Sequence, residues 1–263
     1  MKSGSVYQRK KKIENYIRKH GSASTNELSK IFSVSEMTIR RDLKEFEEEH
    51  VLERYHGGVR LCKDYTDNEM LYEQKGAQFS KEKAAIAKEV MKLLHEGDTI
   101  FLNSGSTSLS ILHEINTKNE MIKVITNNAL APVAITNSQV DLMVTGGEYR
   151  KNSKSLVGDL ATHIFSKVIA NKCILSVNGV SVVHGVSTAV YQETLINELM
   201  VQHCKGDCIV VADGSKIGKF YNFRSVELDK IDILVTDSTA DRKYVSEIEN
   251  AGVRVIVAHV GKK

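Results

Sequence analysis

Seven short apolar runs recur in the second two-thirds of the chain with helix-length stretches between them, and this alternation constrains the fold more than any other feature. The runs are Thr99–Leu102, Lys123–Thr126, Asp141–Val144, Cys173–Val177, Cys208–Ala212, Ile233–Thr236 and Val253–Ala258. Strands that return after a helical crossover pair in parallel, and a parallel sheet needs cover on both faces. The expected class is therefore α/β, opened by a helix from Ser80 that carries Ala84, Ile86, Ala87, Val90 and Leu94. Six strand ends lead into small, hydrogen-bonding residues: Asn103–Thr107, Asn127-Asn128, Gly146-Gly147, Asn178-Gly179, Asp213–Lys216 and Asp237-Ser238. Parallel α/β sheets place their ligands at those carboxyl ends. Helix N-caps favour the same residue types, so each cluster alone is more often structural than functional. Their recurrence points to a ligand.

Asn103-Ser104-Gly105-Ser106-Thr107 is the sharpest of these. A strand, a Gly- and Ser-containing turn and an amphipathic helix with Leu109, Leu112 and Ile115 bring backbone N–H groups and a positive dipole end together. That arrangement takes a phosphate without extra cations. It lacks the lysine and spacing of a nucleotide P-loop, which argues against ATP. Lys216, at the end of another strand, is placed to close over the same phosphate; read alone, it is an exposed turn lysine.

Residues 1–61 have a different organisation. Ile13, Tyr16 and Ile17 recur at helical spacing between about Val6 and His20, and Gly21 follows as a stop. Ser24 with Glu27 forms a capping box for a second helix through Leu28 and Ile31 to about Phe32. Ser33 and Val34 separate it from Ser35, the N-cap of a third helix. Helix, tight turn, helix is the skeleton of a DNA-reading helix-turn-helix. In the third helix Ile39, Leu43 and Phe46 share an inward face, and Met37, Arg41, Lys44 and Glu48 lie opposite. The first turns of such a helix reach base edges, which makes Met37, Thr38, Arg40 and Arg41 the candidate readers. The alternative for this face is a solvated arginine stripe paired with Glu45 and Glu48.

Val51–Tyr55, the turn His56-Gly57-Gly58 and Val59–Leu61 then read as a short basic hairpin. A hairpin directly after a recognition helix is a wing. The expected DNA contacts are Ser35, Met37, Thr38, Arg40, Arg41 and Lys44 from the helix, with Arg54, His56 and Arg60 from the wing.

Charge distribution agrees with this division. Residues 1–62 hold 13 Lys and Arg against 9 Asp and Glu, whereas the whole chain of 263 residues has a net charge of only +3. Clustered cations suit a polyanion partner. The mixed-charge stretch 62–79 has no periodicity and reads as a linker, leaving 80–263 as the second domain. No apolar run approaches the roughly 18 residues of a membrane span. No secretory signal is visible, so the expected location is the cytoplasm. Cys62, Cys173, Cys204 and Cys208 are read as reduced thiols. Cys204 and Cys208, beside His203, lack the second ligand pair of a zinc site, so no metal and no cofactor is expected.

Ser24-Thr25-Asn26-Glu27-Leu28, the run Val34–Leu43 and Arg54-Tyr55-His56-Gly57-Gly58 resemble the DeoR family of bacterial sugar-metabolism regulators. The resemblance continues through Ser104–Thr107, Thr126-Asn127, Gly146-Gly147, Gly158, Asn178-Gly179, Glu193 and Asp213–Lys216, so it spans nearly the whole chain. It implies an N-terminal winged helix-turn-helix on double-stranded operator DNA. It also implies a C-terminal α/β sensor domain, similar in fold to ribose-5-phosphate isomerase, that binds a phosphorylated sugar. The implied effector contacts are Ser104, Gly105, Ser106, Thr107, Asn127, Gly147 and Lys216. Repression of a sugar catabolic operon, relieved by the effector, is the family's usual sense. Palindromic operators mirror protein symmetry, so a homo-oligomer is expected. Asn103 stands where the family commonly has Asp, Asn171 where Asp often opens the fourth strand, and Asn197 where a basic residue is frequent. These departures bear on the identity of the sugar more than on the phosphate.

An isomerase is the competing reading, with acid/base groups from Asp213, Lys216, Glu193 or Asp237. The glycine-rich segment that follows a catalytic lysine in such isomerases is absent, the Gly-Gly pairs being only Gly57-Gly58 and Gly146-Gly147. No Gly-x-Ser-x-Gly elbow marks a hydrolase. The expectation is a regulator and not an enzyme.

Overall fold

The computed structural model describes residues 22–48, 52–55, 58–61 and 78–260, together with Arg9, Lys12, Ile13, Tyr16 and Ile17. The chain divides into two compact units, residues 1–67 and 68–263.

In the first unit the described residues among 9–17 are helical, and β1 (Ser22–Ser24), α1 (Thr25–Phe32), α2 (Glu36–Glu48), β2 (Leu52–Tyr55) and β3 (Gly58–Leu61) follow. The capping box closes as its sequence dictates. Glu27 N–H donates to Ser24 Oγ at 3.1 Å and Ser24 N–H donates to Glu27 Oε2 at 3.4 Å. Helix α1 stops at Ser33, which turns the chain in the left-handed region at φ 52°. Ser35 then caps α2, its Oγ accepting from Thr38 N–H at 3.2 Å. Ile13, Ile17, Leu28, Ile39 and Leu43 are fully buried together in this small core. The hairpin β2–β3 has the expected place, and β1 adds a third strand in the order β1-β3-β2. Three residues with one apolar side chain, Ala23, show no alternation from which that strand could be read.

Asp42 is buried in the middle of α2, where a charge needs a partner. Arg9 supplies it, donating through Nε at 2.7 Å and Nη2 at 3.3 Å. That hydrogen bond raises the guanidinium's proton affinity further, against the opposing effect of burial. The pair ties α2 to the leading helical segment from the side opposite its exposed face.

The second unit contains a seven-stranded, all-parallel sheet. Its strands are β4 (Thr99–Leu102), β5 (Ile122–Thr126), β6 (Val140–Val144), β9 (Ala170–Ser176), β12 (Cys204–Val211), β14 (Ile233–Asp237) and β15 (Arg254–Ala258). All seven expected runs are strands. β9 and β12 start earlier than the apolar pattern suggests, at Ala170 and Cys204, which pair with each other, and Lys172 pairs with Asp207 beyond a shift of register. Alternation sorts the side chains by face. Ile100, Leu102, Ile174, Ile209 and Val211 pack with Ile86, Ala87 and Val90 of α3 (Ser80–Met91) and Ile111, Leu112 and Ile115 of α4 (Ser106–Ile115). On the other face Phe101, Cys173, Leu175, Cys208 and Val210 pack with Phe165 of α6 (Asp159–Lys167) and with Ile196 and Met200 of α7 (Tyr191–Gln202). Ile248 of α8 (Arg242–Asn250) completes that layer, and α5 (Ala131–Ala134) is a single turn.

The spatial order is β15-β14-β12-β9-β4-β5-β6. From β4 the chain proceeds through β5 to β6, then returns to the other side of β4 for β9 and onward. The direction of winding therefore reverses between β4 and β9, and in such sheets the loops leaving the two strands part to form a crevice. Two small antiparallel additions were not legible from the sequence: the hairpin β7–β8 (Glu148–Arg150, Ser155–Val157) and the sheet of β10 (Gly179–Ser181), β11 (Gly185–Thr188) and β13 (Phe223–Val226). Strands of three or four residues are too short for a two-residue period to show.

Phe101 and Phe165 meet edge to face with ring centroids 5.2 Å apart, both fully buried. Phe165→Ala is expected to destabilise the second unit by about 3–5 kcal/mol. Urea unfolding followed by circular dichroism measures this, and a loss below ~1 kcal/mol would show that the helical layer is not packed as described.

Candidate functional site

The first candidate surface is the start of α2. Ile39 and Leu43 point inward, so Met37, Arg40, Arg41 and Lys44 are exposed and Thr38 is half-buried beside the cap. Arg40 Nη2 lies 3.6 Å from Glu36 Oε2 in an exposed pair, an interaction weak enough to give way to a stronger anion. Glu36 is itself engaged from α1, where Asn26 Nδ2 donates to it at 3.1 Å. Ser35 Oγ serves the cap and contacts Thr38 Oγ1 at 2.9 Å. The side chains of Phe46, Arg54, Arg60, Glu45 and Glu48, and the whole of His56, lie outside the described residues.

The second candidate is a cleft at the β4–β9 crevice. Asn103, the residue after β4, is buried next to the lining residue Ser104 and bonded to the lining residue Ser176. The Asn103 carboxamide donates through Nδ2 to Ser176 O at 2.9 Å and to Asn197 Oδ1 at 3.0 Å. Its Oδ1 accepts from Ser176 N–H at 2.7 Å and Ser108 Oγ at 3.2 Å. One side chain thus joins the ends of β4 and β9 to the first turn of α4 and to α7. Next, Ser104 N–H donates to Asn127 Oδ1 at 2.8 Å, and Asn127 Nδ2 donates to Leu156 O at 3.0 Å. Gly105 then turns at φ 150°, where a Cβ would come within 2.7 Å of Ser176 Oγ. Only glycine fits.

Gly105 is the N-cap of α4 and provides no side-chain acceptor. The first intrahelical bond is from Leu109 N–H to Gly105 O, at 2.9 Å. The N-terminus of α4, with the positive end of its dipole, therefore stands at the cleft that Gly105, Ser106 and Thr107 line, a geometry suited to an anion. Lys216 lines the same cleft from the end of a single 3₁₀ turn, Gly214–Lys216, which follows β12. That turn is fixed by carboxylates. Asp213 accepts from Ser215 N–H at 3.1 Å and also from its hydroxyl, and Asp237 Oδ2 accepts from Gly214 N–H at 2.8 Å. On the facing wall Glu193 Oε2 accepts from Thr188 Oγ1 at 3.1 Å, and Arg150 Nη1 stands 3.9 Å from Glu193 Oε1.

Five of the seven expected ligand residues line this cleft together: Ser104, Gly105, Ser106, Thr107 and Lys216. Asn127 and Gly147 do not. Asn127 is buried and holds Ser104 from behind. Gly147, at φ 115°, admits the backbone of β8, since a Cβ there would lie 2.5 Å from Val157 O. Sequence reasoning missed Lys83, which also lines the cleft and is 4% exposed. The signal was present, because a lysine stands three and four residues before Ile86 and Ala87 on the apolar stripe of α3. Ser153 and Ser176 were missed as well, and nothing local to them marks them out.

Two of the three family departures touch one another, Asn103 and Asn197 being hydrogen-bonded. Where the resemblance leads one to expect a carboxylate beside a cation, this chain has two carboxamides. Asn171 sits at the other end of β9, accepting from Thr99 N–H at 2.8 Å and donating to Asp98 Oδ1 at 2.6 Å. Among the cysteines, Cys173 is buried beside Cys208, and burial pushes its thiol well above the usual range. No group of three or more His, Cys, Asp or Glu suited to a metal occurs among the described residues. No helix among them is long and apolar enough to cross a membrane.

Two family models match the chain: the DeoR-like helix-turn-helix domain over residues 9–65 and the DeoR C terminal sensor domain over residues 78–238. A protein named HTH-type transcriptional regulator GlpR, from Haloferax volcanii, is 31% identical over 249 residues, spanning 95% of this chain and 96% of that protein. The lactose phosphotransferase system repressor of Staphylococcus epidermidis is 33% identical over 250 residues, spanning 93% and 96%. A solved ribose 5-phosphate isomerase A from Methanocaldococcus jannaschii overlaps 53% of this chain and 55% of its own, at 15% identity and a TM-score of 0.39.

The Asn103 node yields a direct test. Asn103→Asp replaces a donor that faces two acceptors, Ser176 O and Asn197 Oδ1, and should cost about 1–3 kcal/mol. Adding Asn197→Lys gives the new carboxylate a cation and should recover most of that loss. Urea midpoints of the two single variants and the double variant measure both effects. An Asn103→Asp chain as stable as the parent would contradict the node.

Proposed function

The chain belongs to the DeoR family of transcription regulators, and from that premise we propose that it represses a sugar catabolic operon and is released from DNA by a phosphorylated sugar. In this reading residues 1–61 grip double-stranded operator DNA through α2 and the wing, 62–79 link, and 80–263 sense the sugar. A regulator of this kind works in the cytoplasm. Repressor function is supported by the relative named for repression of a lactose phosphotransferase system.

The observation that carries the sensor half is the convergence, at one crevice, of the uncapped α4 N-terminus and Lys216. A neutral sugar has no need of a helix dipole and a cation, whereas a phosphoryl group is stabilised by both. Glu193 on the cleft wall supplies a carboxylate acceptor for hydroxyl groups beyond the phosphate. Asp213 and Asp237, which an isomerase reading would recruit for acid/base work, already accept backbone and hydroxyl protons that shape the Lys216 turn. Their capping roles favour regulation over catalysis.

Coupling of the two sites is a free-energy difference: the ligand favours one arrangement of the DNA-binding heads over another. Paired heads must match half-sites about 34 Å apart, so a small change of placement weakens the grip, and the acting unit is a homo-oligomer.

Mobility-shift titrations on the DNA upstream of this gene test both halves. Arg41→Ala should lose about 1–3 kcal/mol of operator affinity, roughly five- to 150-fold, with ligand affinity unchanged. Lys216→Ala should keep full operator affinity without ligand and need more sugar phosphate for release. Parental operator affinity in Arg41→Ala would remove that residue as a reader. Loss of sugar-phosphate turnover in Lys216→Ala would instead establish an enzyme.

A further inference from the structure

Helix α7 carries apolar side chains on two sides. Ile196 and Met200 are buried in the layer against the sheet, whereas Tyr191 and Leu195 are 65% and 51% exposed. Tyr191, Leu195, Glu198 and Gln202 recur at helical spacing and form one outward stripe. A helix that is apolar on both sides belongs between two layers, yet the outer side of α7 is open to solvent. Strand β13 lies beside that stripe. Its Phe223 ring meets Tyr191 with centroids 5.6 Å apart, and among the described residues β13 is an end strand of its sheet, in the order β10-β11-β13. Alongside α7 and β13 runs an open groove of about 550 Å³, lined by Val201 and Val226 and by four charged residues, Glu198, Arg224, Glu227 and Lys230.

Two observations select the occupant of this face. An end strand offers main-chain groups for another strand to pair with. The charges around the groove are two acids and two bases, and Arg224 Nη1 stands 3.2 Å from Glu227 Oε1 at the exposed end of β13. A polyanion gains nothing from a balanced patch, but the patch's own image, turned about a two-fold axis, presents each sign to its opposite. We propose that the face formed by α7 and β13 is the contact between two copies of this chain, related by a two-fold axis between Ser225 and Val226 that sets each copy's Arg224 opposite the other copy's Glu227. This rests on the homo-oligomer reading above and deepens it by naming the surface. The two β13 strands run antiparallel across the axis and join two three-stranded sheets into one of six. Tyr191 and Leu195 of both copies leave the water. The exposed Arg224–Glu227 pair within one chain contributes little, so exchanging it for the same pair between chains costs little.

Sedimentation velocity on the full-length chain over a range of concentrations tests this with charge-reversed variants. Arg224→Glu leaves two acids facing two acids across the axis, and Glu227→Arg leaves two bases facing two bases. Each should weaken self-association about tenfold or more. An equimolar mixture of the two variants should recover parental association, because every Glu at 224 then meets an Arg at 227 in the other chain and the reverse. The mixture leaves the like charges within each chain in place, so recovery reports the contact between chains alone. Leu195→Glu, at an exposed position, should also dissociate the assembly, and mixing with either charge variant should not restore it. Parental association in both single reversals, or a mixture that associates no better than its components, would assign this face to another occupant and overturn the proposal while leaving the homo-oligomer reading standing. A parent chain that sediments as a monomer at every concentration would overturn that reading and this proposal with it.

Discussion

The second unit depends on the meeting of β4 and β9 at the point where the winding of the sheet reverses. Two neighbouring parallel strands part company there, and their last residues would be left with unsatisfied polar groups at a gap. The Asn103 carboxamide closes that gap, donating twice and accepting twice among Ser176, Asn197 and Ser108. Because it fixes the chain one residue after β4, Ser104 and Gly105 leave the sheet in a single direction, and α4 starts at the crevice. Lys216 arrives from the neighbouring β12 by a turn that Asp213 and Asp237 hold in place. The cleft is thus a product of topology first and of side-chain chemistry second.

The first unit is organised around a comparable internal constraint. Asp42 is buried within α2 and paired with Arg9 at 2.7 Å, so the helix has a fixed rotational setting. With Ile39 and Leu43 it determines which residues remain outside, and those are Met37, Arg40, Arg41 and Lys44. A helix that presents Arg40, Arg41 and Lys44 outward is a suitable surface for a duplex. The exposed Arg40–Glu36 pair holds that surface without committing it, since such a pair contributes little in water.

Much of this was legible in the sequence, because the signals were long or chemically specific. Seven apolar runs with helical intervals give a parallel sheet, and Ser24 with Glu27 gives a helix start. Short elements were not legible: β1, β7, β8 and β10 have three residues each, too few for a two-residue period to show, and β1 pairs with a distant strand, Ala23 opposite Val59. Of the residues that local motif reading singled out, the fold brings Ser104–Thr107 and Lys216 to one cleft, whereas Asn127 is buried behind Ser104 and Gly147 packs against β8. Small polar residues at strand ends serve lining and support alike, and only the fold separates the two. Lys83 was readable as a lysine on an apolar stripe, but its place at the cleft needed the fold. The link between Asn103 and Asn197 was invisible, since nothing in the sequence brings residues 94 positions apart together.

The account's central claim is that one cleft takes a phosphorylated ligand and that filling it alters the hold on DNA. Fluorescence anisotropy on labelled DNA from upstream of the gene measures this most directly, with the bound protein titrated by sugar phosphates and by the same sugars without phosphate. The account predicts tight, salt-sensitive binding that is released by one phosphorylated sugar and not by its unphosphorylated counterpart. Equal release by the unphosphorylated sugar, or binding that ignores every sugar phosphate, would contradict it.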